Sequence, residues 1–194
     1  MPILAQQPDI STASLLDETY LELFPDCSWW VLQLRPRTEK KLMIRLGQQK
    51  IDFYCPLIEK RYRSPAGRIR SSCLPVFNGY LLLFGDWDAR YFAYTTDYVA
   101  RDREVAEPHV LAEFLRDIRQ IRGAILSGAQ LTPEAKIEAG ERVIVKNGPF
   151  KGYEGTVMRR EGKTRLLLTV DFLEQGVSME IDECQLQRLQ GAGA

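Results

Sequence analysis

The residue types that most often carry catalysis or bind metals are scarce in this chain. It has one histidine, His109, and its four cysteines lie far apart in the sequence, as Cys27, Cys55, Cys73 and Cys184. A zinc site needs about four nitrogen or sulfur ligands at short paired spacing. A single histidine allows no pair of nucleophile and base to be drawn. We therefore expect no metal, no cofactor and no catalytic residue, and we interpret the cysteines as reduced thiols of a cytoplasmic protein.

One short segment, Gly162-Lys163-Thr164, has the sequence that ends a phosphate-binding P-loop. The P-loop needs a glycine five residues before that glycine, and Val157 stands there instead. The segment also lies between predicted strands, whereas a P-loop leads into a helix. We interpret it as a hairpin turn, and we predict that the protein is not an enzyme.

Basic residues are concentrated in the middle of the chain, although its 26 bases and 26 acids cancel overall. Residues 1–26 hold five acids and no base, residues 27–123 hold 17 bases and 11 acids, and residues 124–194 hold 9 bases and 10 acids. Five bases fall within eleven residues, and these are Lys60, Arg61, Arg63, Arg68 and Arg70. Such a cluster can neutralise phosphates. The alternative is a solvated hairpin arm that binds nothing.

Hydrophobic periodicity predicts an α+β domain over residues 27–123. Strands are expected at 29–34, 53–58, 79–84 and 99–105, and helices at 39–49, 87–95 and 107–122. Thr38 is the expected cap of the first helix. Residues 59–63 and 68–72 form a predicted hairpin around turn residues 64–67. This order of elements predicts helices packed on an antiparallel sheet.

The pattern changes in the C-terminal part of the chain. Gly123, Gly128 and Pro133 indicate a linker, and only short strands follow it. Five such strands in about fifty residues predict a small β-barrel. The predicted boundaries are those of an acidic extension, an α+β domain, a linker, a barrel and a tail, at residues 1–26, 27–123, 124–138, 139–190 and 191–194.

The stretch from Gly140 to Val157 resembles a KOW motif. The loop Gly-Pro-Phe-Lys-Gly at residues 148–152 and the strand that begins at Gly155 match the spacing of that motif. Its glycines have a physical role, because they allow a positive φ at turns and a close approach of neighbouring backbone. KOW barrels occur in several kinds of protein, so the upstream domain has to distinguish between them.

The upstream domain is similar to the N-terminal domain of the NusG family. Residues 29–32, Pro36, Glu39 and the run at residues 75–82 carry the similarity. Together with the KOW-like stretch, it covers about residues 27–190 in the family's order. The resemblance implies a four-stranded antiparallel sheet with flanking helices, then a linker, then a small five-stranded barrel of the SH3-like type.

The same resemblance implies a transcription elongation or antitermination factor that binds the clamp helices of RNA polymerase and suppresses pausing or termination. The residues that match the family's polymerase-binding depression are Gln33, Phe77, Tyr80 and Leu82. Phe77 and Tyr80 are the predicted anchors, because buried aromatic residues dominate interface energies. The alternative is that Phe77 belongs to the core of the sheet. Tyr80 and Leu82 should share one environment, since they lie two residues apart on a strand.

Further contacts are implied outside this depression. The basic hairpin is expected beside upstream or non-template DNA, where phosphate contacts position a protein without specifying sequence. A ribosomal protein or a termination factor is the implied partner of the barrel. The residues that match the partner-binding surface are Phe150, Lys151, Phe172 and Leu173, with Leu173 at the position that the family exposes.

Two alternatives stay open. The first is a KOW-containing RNA-binding or ribosome-associated protein that acts without polymerase and holds RNA on its basic hairpin and the loop at residues 146–151. The second is a helical C-terminal segment, as in RfaH-like members, although the β-prone runs at 143–145 and 177–181 favour a barrel. Asn78 and Gln175 replace a proline and an arginine of the family and favour a specialised RfaH-like paralogue. We expect a monomer. We expect no membrane span, since no apolar run reaches the ~20 residues that a span needs.

Overall fold

The computed structural model of the chain describes residues 15–63, 67–134, 140–160 and 162–189. The chain divides into two units. One comprises Met1–Cys55 with Phe77–Leu115, and the other comprises Pro56–Val76 with Arg116–Ala194. The predictions for most of the acidic extension, for three residues of the hairpin turn and for the C-terminal tail lie outside the described residues, at 1–14, 64–66 and 190–194.

The helices and strands are numbered here in chain order. The helices are α1 (Glu18–Leu23), α2 (Glu39–Gln48), α3 (Trp87–Thr95) and α4 (Pro108–Leu126). The strands are β1 (Ser28–Leu34), β2 (Asp52–Tyr54), β3 (Leu57–Arg63), β4 (Ile69–Pro75), β5 (Tyr80–Gly85), β6 (Val99–Glu104), β7 (Thr132–Glu134), β8 (Glu141–Val145), β9 (Glu154–Arg160), β10 (Lys163–Val170), β11 (Gln175–Glu180) and β12 (Leu186–Arg188).

The first unit is built on a four-stranded antiparallel sheet in the order β2-β5-β1-β6. The two central strands are the most apolar ones. Leu32 of β1 and both Leu81 and Leu83 of β5 are completely buried. An apolar run that is buried along its whole length is typical of an interior strand. The predicted four-stranded antiparallel sheet with flanking helices is therefore confirmed.

The sequence predicts one strand over residues 53–58, but the structure has two. β2 ends at Tyr54 and pairs with β5, whereas β3 begins at Leu57 and pairs with β4 in a separate two-stranded sheet. Between them stands Pro56, which has no N–H to donate to a strand partner. β3 pairs with β4 along its whole length, so the predicted hairpin is confirmed.

Two helices of the first unit begin in different ways. At α3, a carboxylate oxygen of Asp86 accepts a hydrogen bond from the backbone N–H of Ala89 at 2.9 Å, as an N-cap residue should. Thr38 occupies the cap position of α2 but makes no such bond. Its hydroxyl donates instead to the carbonyl oxygen of Arg35 at 2.6 Å. The prediction that the Thr38 side chain caps α2 is therefore wrong.

Helix α4 continues past the predicted end at residue 122. Gly123 lies inside it, where a β-carbon would come within 2.0 Å of the hydroxyl oxygen of Tyr153. The helix stops where Gly128 adopts a φ of 76° and the N–H of Ala129 donates to the carbonyl oxygen of Ala124 at 3.2 Å. This is the Schellman pattern. Gly123 thus permits close packing, and Gly128 is the glycine that ends the helix.

The second unit contains a six-stranded antiparallel sheet in the order β12-β8-β9-β10-β11-β7. Strands β8 to β11 match runs that the sequence predicts, whereas β12 lies where the sequence predicts no strand. The small β-domain is confirmed, with six strands in its sheet in place of the predicted five. β7 comes from the predicted linker and pairs with β11, where Pro133 stands opposite Val177. An edge strand tolerates proline because the missing N–H has no partner to satisfy there. Part of the predicted linker therefore belongs to the sheet.

A polar network fastens β7 to the rest of this sheet. Ser178 is completely buried; its hydroxyl accepts a hydrogen bond from Arg165 Nε at 2.9 Å and donates one to Glu134 Oε1 at 2.7 Å. Arg165 also donates to the hydroxyl of Thr132 at 2.8 Å, and Arg160 donates to Glu134 at 3.2 Å. Because buried polar groups are costly when unpaired, this network should contribute to the stability of the second unit.

We predict that Ser178→Ala lowers the free energy of unfolding by about 1–3 kcal/mol, because the half-buried side chains of Arg165 and Glu134 each lose a hydrogen-bond partner. Urea denaturation of the full chain measures this change. Lys163→Ala is the matched control, since it breaks an ion pair with Glu180 at 2.7 Å in which both side chains are more than half exposed. Such a pair should contribute only about 0–1 kcal/mol. Equal losses in the two variants would contradict the prediction.

Candidate interaction surfaces

The pairing of β1 with β5 determines which side chains share a face of the first unit's sheet. Directly opposite residues of an antiparallel pair lie on the same face. The opposite pairs are Trp29 with Phe84, Val31 with Leu82, and Gln33 with Tyr80. These residues alternate along both strands with others that lie on the reverse face. We call this surface the Tyr80 face and define it by Trp29, Val31, Gln33, Tyr80, Leu82 and Phe84.

Most of the Tyr80 face is covered. Trp29 and Leu82 are each only 1% exposed, and Val31 and Phe84 are also buried. Gln33 is exposed and Tyr80 is half-buried, so solvent reaches the face at one end. The prediction that Tyr80 and Leu82 share one environment is therefore wrong. They do lie on one face, but burial changes along the strand between them.

Phe77 lies in the loop that precedes β5 and is 2% exposed. Its carbonyl oxygen accepts a hydrogen bond from the N–H of Tyr80 at 3.2 Å. The N–H of Gly79, which has a φ of 80°, donates to the carboxylate of Glu39 on α2 at 2.9 Å. This loop is thus held against the fold, and Phe77 belongs to the core. Phe77 offers no surface to a partner in this conformation, as the alternative of a core residue expects. Its role as an anchor stays a prediction.

The far end of the Tyr80 face is covered by the N-terminal segment. The ring centroid of Tyr20 lies 5.6 Å from that of Phe84 and 4.9 Å from that of Phe24. The Tyr20 hydroxyl donates to Asp52 at 3.3 Å. Burial, and then the Asp52 carboxylate, raise the pKa of Tyr20 above its usual value. The described part of the acidic extension therefore docks on the first unit, beside a Trp29 ring that is 5.4 Å from Phe84.

The reverse face of the sheet carries a cation held among aromatic rings. The guanidinium of Arg90 lies 4.7 Å from the ring centroids of both Trp30 and Trp87, and 5.6 Å from that of Tyr94. It forms an ion pair with Asp102, which also accepts a hydrogen bond from the Tyr94 hydroxyl at 2.6 Å. Sequence reasoning missed this cluster. The spacing of Trp87, Arg90 and Tyr94 indicates one face of a helix, but nothing local joins it to Trp30 or Asp102.

The pKa of Asp102 lies below its usual value: burial acts to raise it, but the hydrogen bonds from Arg90 and then Tyr94 lower it by more. A carboxylate with a lowered pKa stabilises the folded state above its unfolded pKa and loses that effect as the pH falls through its folded pKa. We predict that Asp102→Asn lowers the free energy of unfolding at neutral pH by about 1–3 kcal/mol. The difference from wild type should shrink below pH ~3.9, the ordinary Asp value.

The measurement for Asp102 is urea denaturation across this pH range. Asp97→Asn is the control, because the Asp97 ion pair with Arg35 at 2.9 Å is exposed on both sides and should contribute little. A pH-independent loss in Asp102→Asn would show that its carboxylate is not stabilised by Arg90.

The cysteines differ sharply in their surroundings. Cys55 is buried, and its Sγ lies 4.0 Å from the carbonyl oxygen of Tyr80. Burial, and then the Glu39 carboxylate, raise the pKa of Cys55 to about 12. Cys184, by contrast, is exposed. Because the thiolate is the reactive form, these two residues should differ greatly in reactivity.

We predict that iodoacetamide at mildly alkaline pH modifies Cys184 and leaves Cys55 unmodified until the protein is unfolded. Peptide mass spectrometry over a time course measures both rates in one sample, and a urea-unfolded sample serves as the control. Modification of Cys55 in the folded protein as fast as Cys184 would show that the segment around Cys55 is not packed against Tyr80 as described.

The predicted nucleic-acid-binding residues lie on the β3–β4 hairpin of the second unit. Lys60, Arg63, Arg68 and Arg70 are exposed, and the side chain of Arg61 lies outside the described residues. None of the four exposed bases forms an ion pair or hydrogen bond with another residue in the described part of the chain. The structure therefore brings these bases together on one hairpin with their charges unpaired.

The predicted partner-binding residues of the C-terminal domain differ in their exposure to solvent. Lys151 is exposed, and Phe150 is half-buried with its ring centroid 5.6 Å from that of Tyr153. Phe172 is also half-buried. Burial raises the pKa of Tyr153, and the N–H of Glu154 beside it donates to the side-chain carbonyl of Gln120 on α4 at 2.8 Å.

Leu173 was predicted at an exposed position, and the structure corrects this. It is only 5% exposed. The chain leaves β10 through a 3-10 turn at Asp171–Leu173, so strand alternation no longer decides which side each residue faces. Leu173 therefore lies in the core, and its neighbour Phe172 is the one with accessible surface.

The described residues contain neither a candidate metal site nor a candidate membrane-spanning helix. Within them, no group of three or more His, Cys, Asp or Glu side chains could hold a metal ion. No helix formed by these residues is long and apolar enough to cross a membrane.

Two family models match the chain. The one described as "Transcription termination factor nusG" matches residues 27–130, more than half of the chain, and the one described as "KOW motif" matches residues 139–171. A chain of the solved structure titled "Crystal Structure of MjSpt4:Spt5 complex conformation B" is 16% identical, with a TM-score of 0.27; the match covers 86% of this chain and 99% of that one. No curated protein matches.

A sheet domain of this type followed by a KOW domain defines a class of transcription factors. The chain belongs to the NusG family, as its sequence resemblance predicts. Membership of this family supports a role in transcription elongation with an interaction with RNA polymerase. The family consists of non-enzymatic transcription factors.

Proposed function

We propose that this protein is an elongation and antitermination factor that binds the clamp helices of RNA polymerase and suppresses pausing or termination. The observation that carries the proposal is the open end of the Tyr80 face. Among the six residues that define this face, Gln33 and Tyr80 are the two that reach solvent. They stand directly opposite each other on the central strands, so a protruding helical tip would meet both at once.

The chemistry of this pair suits a protein contact. Tyr80 has an apolar ring with a polar hydroxyl, which is the combination enriched at interfaces, and Gln33 can donate and accept hydrogen bonds. Phe77 and Leu82 would contribute indirectly, since both are buried and cannot touch a partner. Their part in the proposed contact is to fix the backbone that presents Tyr80.

A factor that grips the clamp would oppose its opening and so reduce pausing. The KOW domain, proposed to span residues 139–190, would recruit a second partner at a high effective concentration, because it shares one chain with the polymerase-binding domain at 27–123. Its proposed contact surface is formed by Phe150, Lys151 and Phe172, with Leu173 as support in the core. A ribosomal protein or a termination factor is the proposed partner.

The basic hairpin is proposed to lie against upstream or non-template DNA in the elongation complex. Its unpaired bases would contact phosphates and position the factor without reading sequence. We also propose that the protein is a cytoplasmic monomer, and that Asn78 and Gln175, where the family has proline and arginine, belong to a specialised RfaH-like paralogue.

We predict that Tyr80→Ala weakens binding to RNA polymerase roughly tenfold or more, because the loss of an aromatic anchor is costly at an interface. Biolayer interferometry with immobilised polymerase measures this change. Tyr91→Ala is the matched control, since Tyr91 is an exposed tyrosine on α3 and lies outside the Tyr80 face. Circular dichroism of both variants checks their folding. Unchanged affinity of a folded Tyr80→Ala variant would contradict the proposal.

One observation favours a second candidate, an RNA-binding or ribosome-associated protein that acts without polymerase. It is the set of unpaired bases on the hairpin. Affinity capture of the full chain from a lysate, followed by mass spectrometry and RNA sequencing, separates the two. Recovery of polymerase subunits supports the elongation factor. Recovery of RNA or ribosomal subunits without polymerase supports the alternative.

A further inference from the structure

The two faces of the β3–β4 hairpin carry different chemistry. In its register, Tyr62 stands directly opposite Arg70, and Lys60 stands opposite Ser72. Because side chains alternate along a strand, Lys60, Tyr62 and Arg70 share one face. Glu59, which stands opposite Cys73, and Arg63, which stands opposite Ile69, lie on the other.

The ring of Tyr62 is accessible to a planar group that could stack on it. It is 48% exposed, and no ring-to-ring contact joins it to another described residue. Side chains of directly opposite residues lie about 5 Å apart at their β-carbons, so Arg70 flanks the ring on one side. Lys60 lies two residues away along the strand, at about 7 Å. An accessible ring thus has one cation beside it along the strand and another across the hairpin.

The electrostatic surroundings point to an anionic ligand. No acidic residue occurs between Lys60 and Gly85 in the sequence. Lys60 and Arg70 have no ion-pair partner among the residues that the structure describes. This face of the hairpin is therefore positively charged.

We infer that the face formed by Lys60, Tyr62 and Arg70 binds single-stranded nucleic acid, with one base stacked on the Tyr62 ring and phosphates held by the two cations. Aromatic rings between basic residues are the usual platform for single strands. In a duplex the base faces are stacked on one another, so Tyr62 has no base to stack on and only the phosphate contacts remain. This inference deepens the proposed contact of the hairpin with nucleic acid and rests on it.

The test uses the full chain and fluorescence anisotropy with three labelled probes of equal length: an oligothymidylate, an oligouridylate and a DNA duplex. Tyr62→Ala should weaken binding to the single strands roughly tenfold and change duplex binding by less than about twofold. Tyr62→Phe should keep the wild-type affinities, because the ring is retained. Tyr91→Ala is the control for the loss of an exposed tyrosine.

Variants of Lys60 and Arg70 separate base stacking on Tyr62 from the contact of the hairpin with phosphates. Arg70→Ala should weaken binding to all three probes and reduce the slope of log affinity against log salt by about 1. If Lys60→Ala and Arg70→Ala leave all three affinities unchanged, the hairpin does not touch nucleic acid, and the proposed contact falls with the inference. If they weaken binding but Tyr62→Ala does not discriminate single strands from duplex, only the stacking is overturned.

The remaining outcomes also decide the question. A loss with Tyr62→Ala that is confined to one of the two single strands assigns the site to DNA or to RNA. Binding of a fluorescent polyglutamate peptide that depends on Tyr62 as strongly as the oligonucleotides do would assign the face to an acidic protein partner and overturn the inference.

Discussion

The antiparallel pairing of β1 with β5 is the constraint on which the first unit and its candidate binding surface depend. Both strands are apolar on two faces, with Trp29 and Leu82 buried on one and Leu32 and Leu81 on the other. A slip of one residue would exchange the faces, and it would move the polar Gln33 into the interior. The register is therefore fixed by burial. It is this register that sets Gln33 against Tyr80 at the open end of the face.

The same constraint gives the proposed function its geometry. A sheet that is buried over most of one face and open at its end offers a partner a small, defined contact with a rigid base. In the proposed function, covalent continuity of the chain would let the KOW domain and the basic hairpin act on other components of the same complex. Each surface would then need only modest affinity of its own, because the others would raise its effective concentration.

Much of this arrangement could be predicted from the sequence, because it depends on local pattern. The apolar strands and the helix at residues 87–95 repeat with the period of their own structure. The hairpin is marked by turn residues between two strand-like runs, and the KOW domain follows from the resemblance of its glycine spacing to that motif. The position of the loop at Phe77 could not be predicted in this way, because the hydrogen bond that holds it joins Gly79 to Glu39, forty residues apart. The sequence predicts the end of α4 before Gly123, because a glycine often ends a helix. In the structure Gly123 lies inside the helix, where its missing side chain leaves room for Tyr153, and this contact has no local signal in the sequence.

The candidate sites also divide into features that the local sequence predicts and features that depend on residues far apart in the chain. The basic residues of the hairpin follow directly from composition, whereas their separation onto two faces depends on the strand register. The cluster of Arg90, Trp30 and Asp102 joins three separate elements and leaves no local signal. Leu173 and Leu82 were assigned to surfaces by analogy of position. The structure buries both, since apolar side chains at these places complete a core.

The central claim is that the Gln33–Tyr80 end of the sheet contacts the clamp helices. The most direct measurement is site-specific photocrosslinking in a stalled elongation complex, with benzoylphenylalanine in place of Gln33 and, as the reference, in place of Tyr91. The account predicts that the probe at residue 33 crosslinks to the clamp helices and that the probe at residue 91 does not. Crosslinks from residue 33 that miss the clamp, in complexes where the factor is bound, would contradict it.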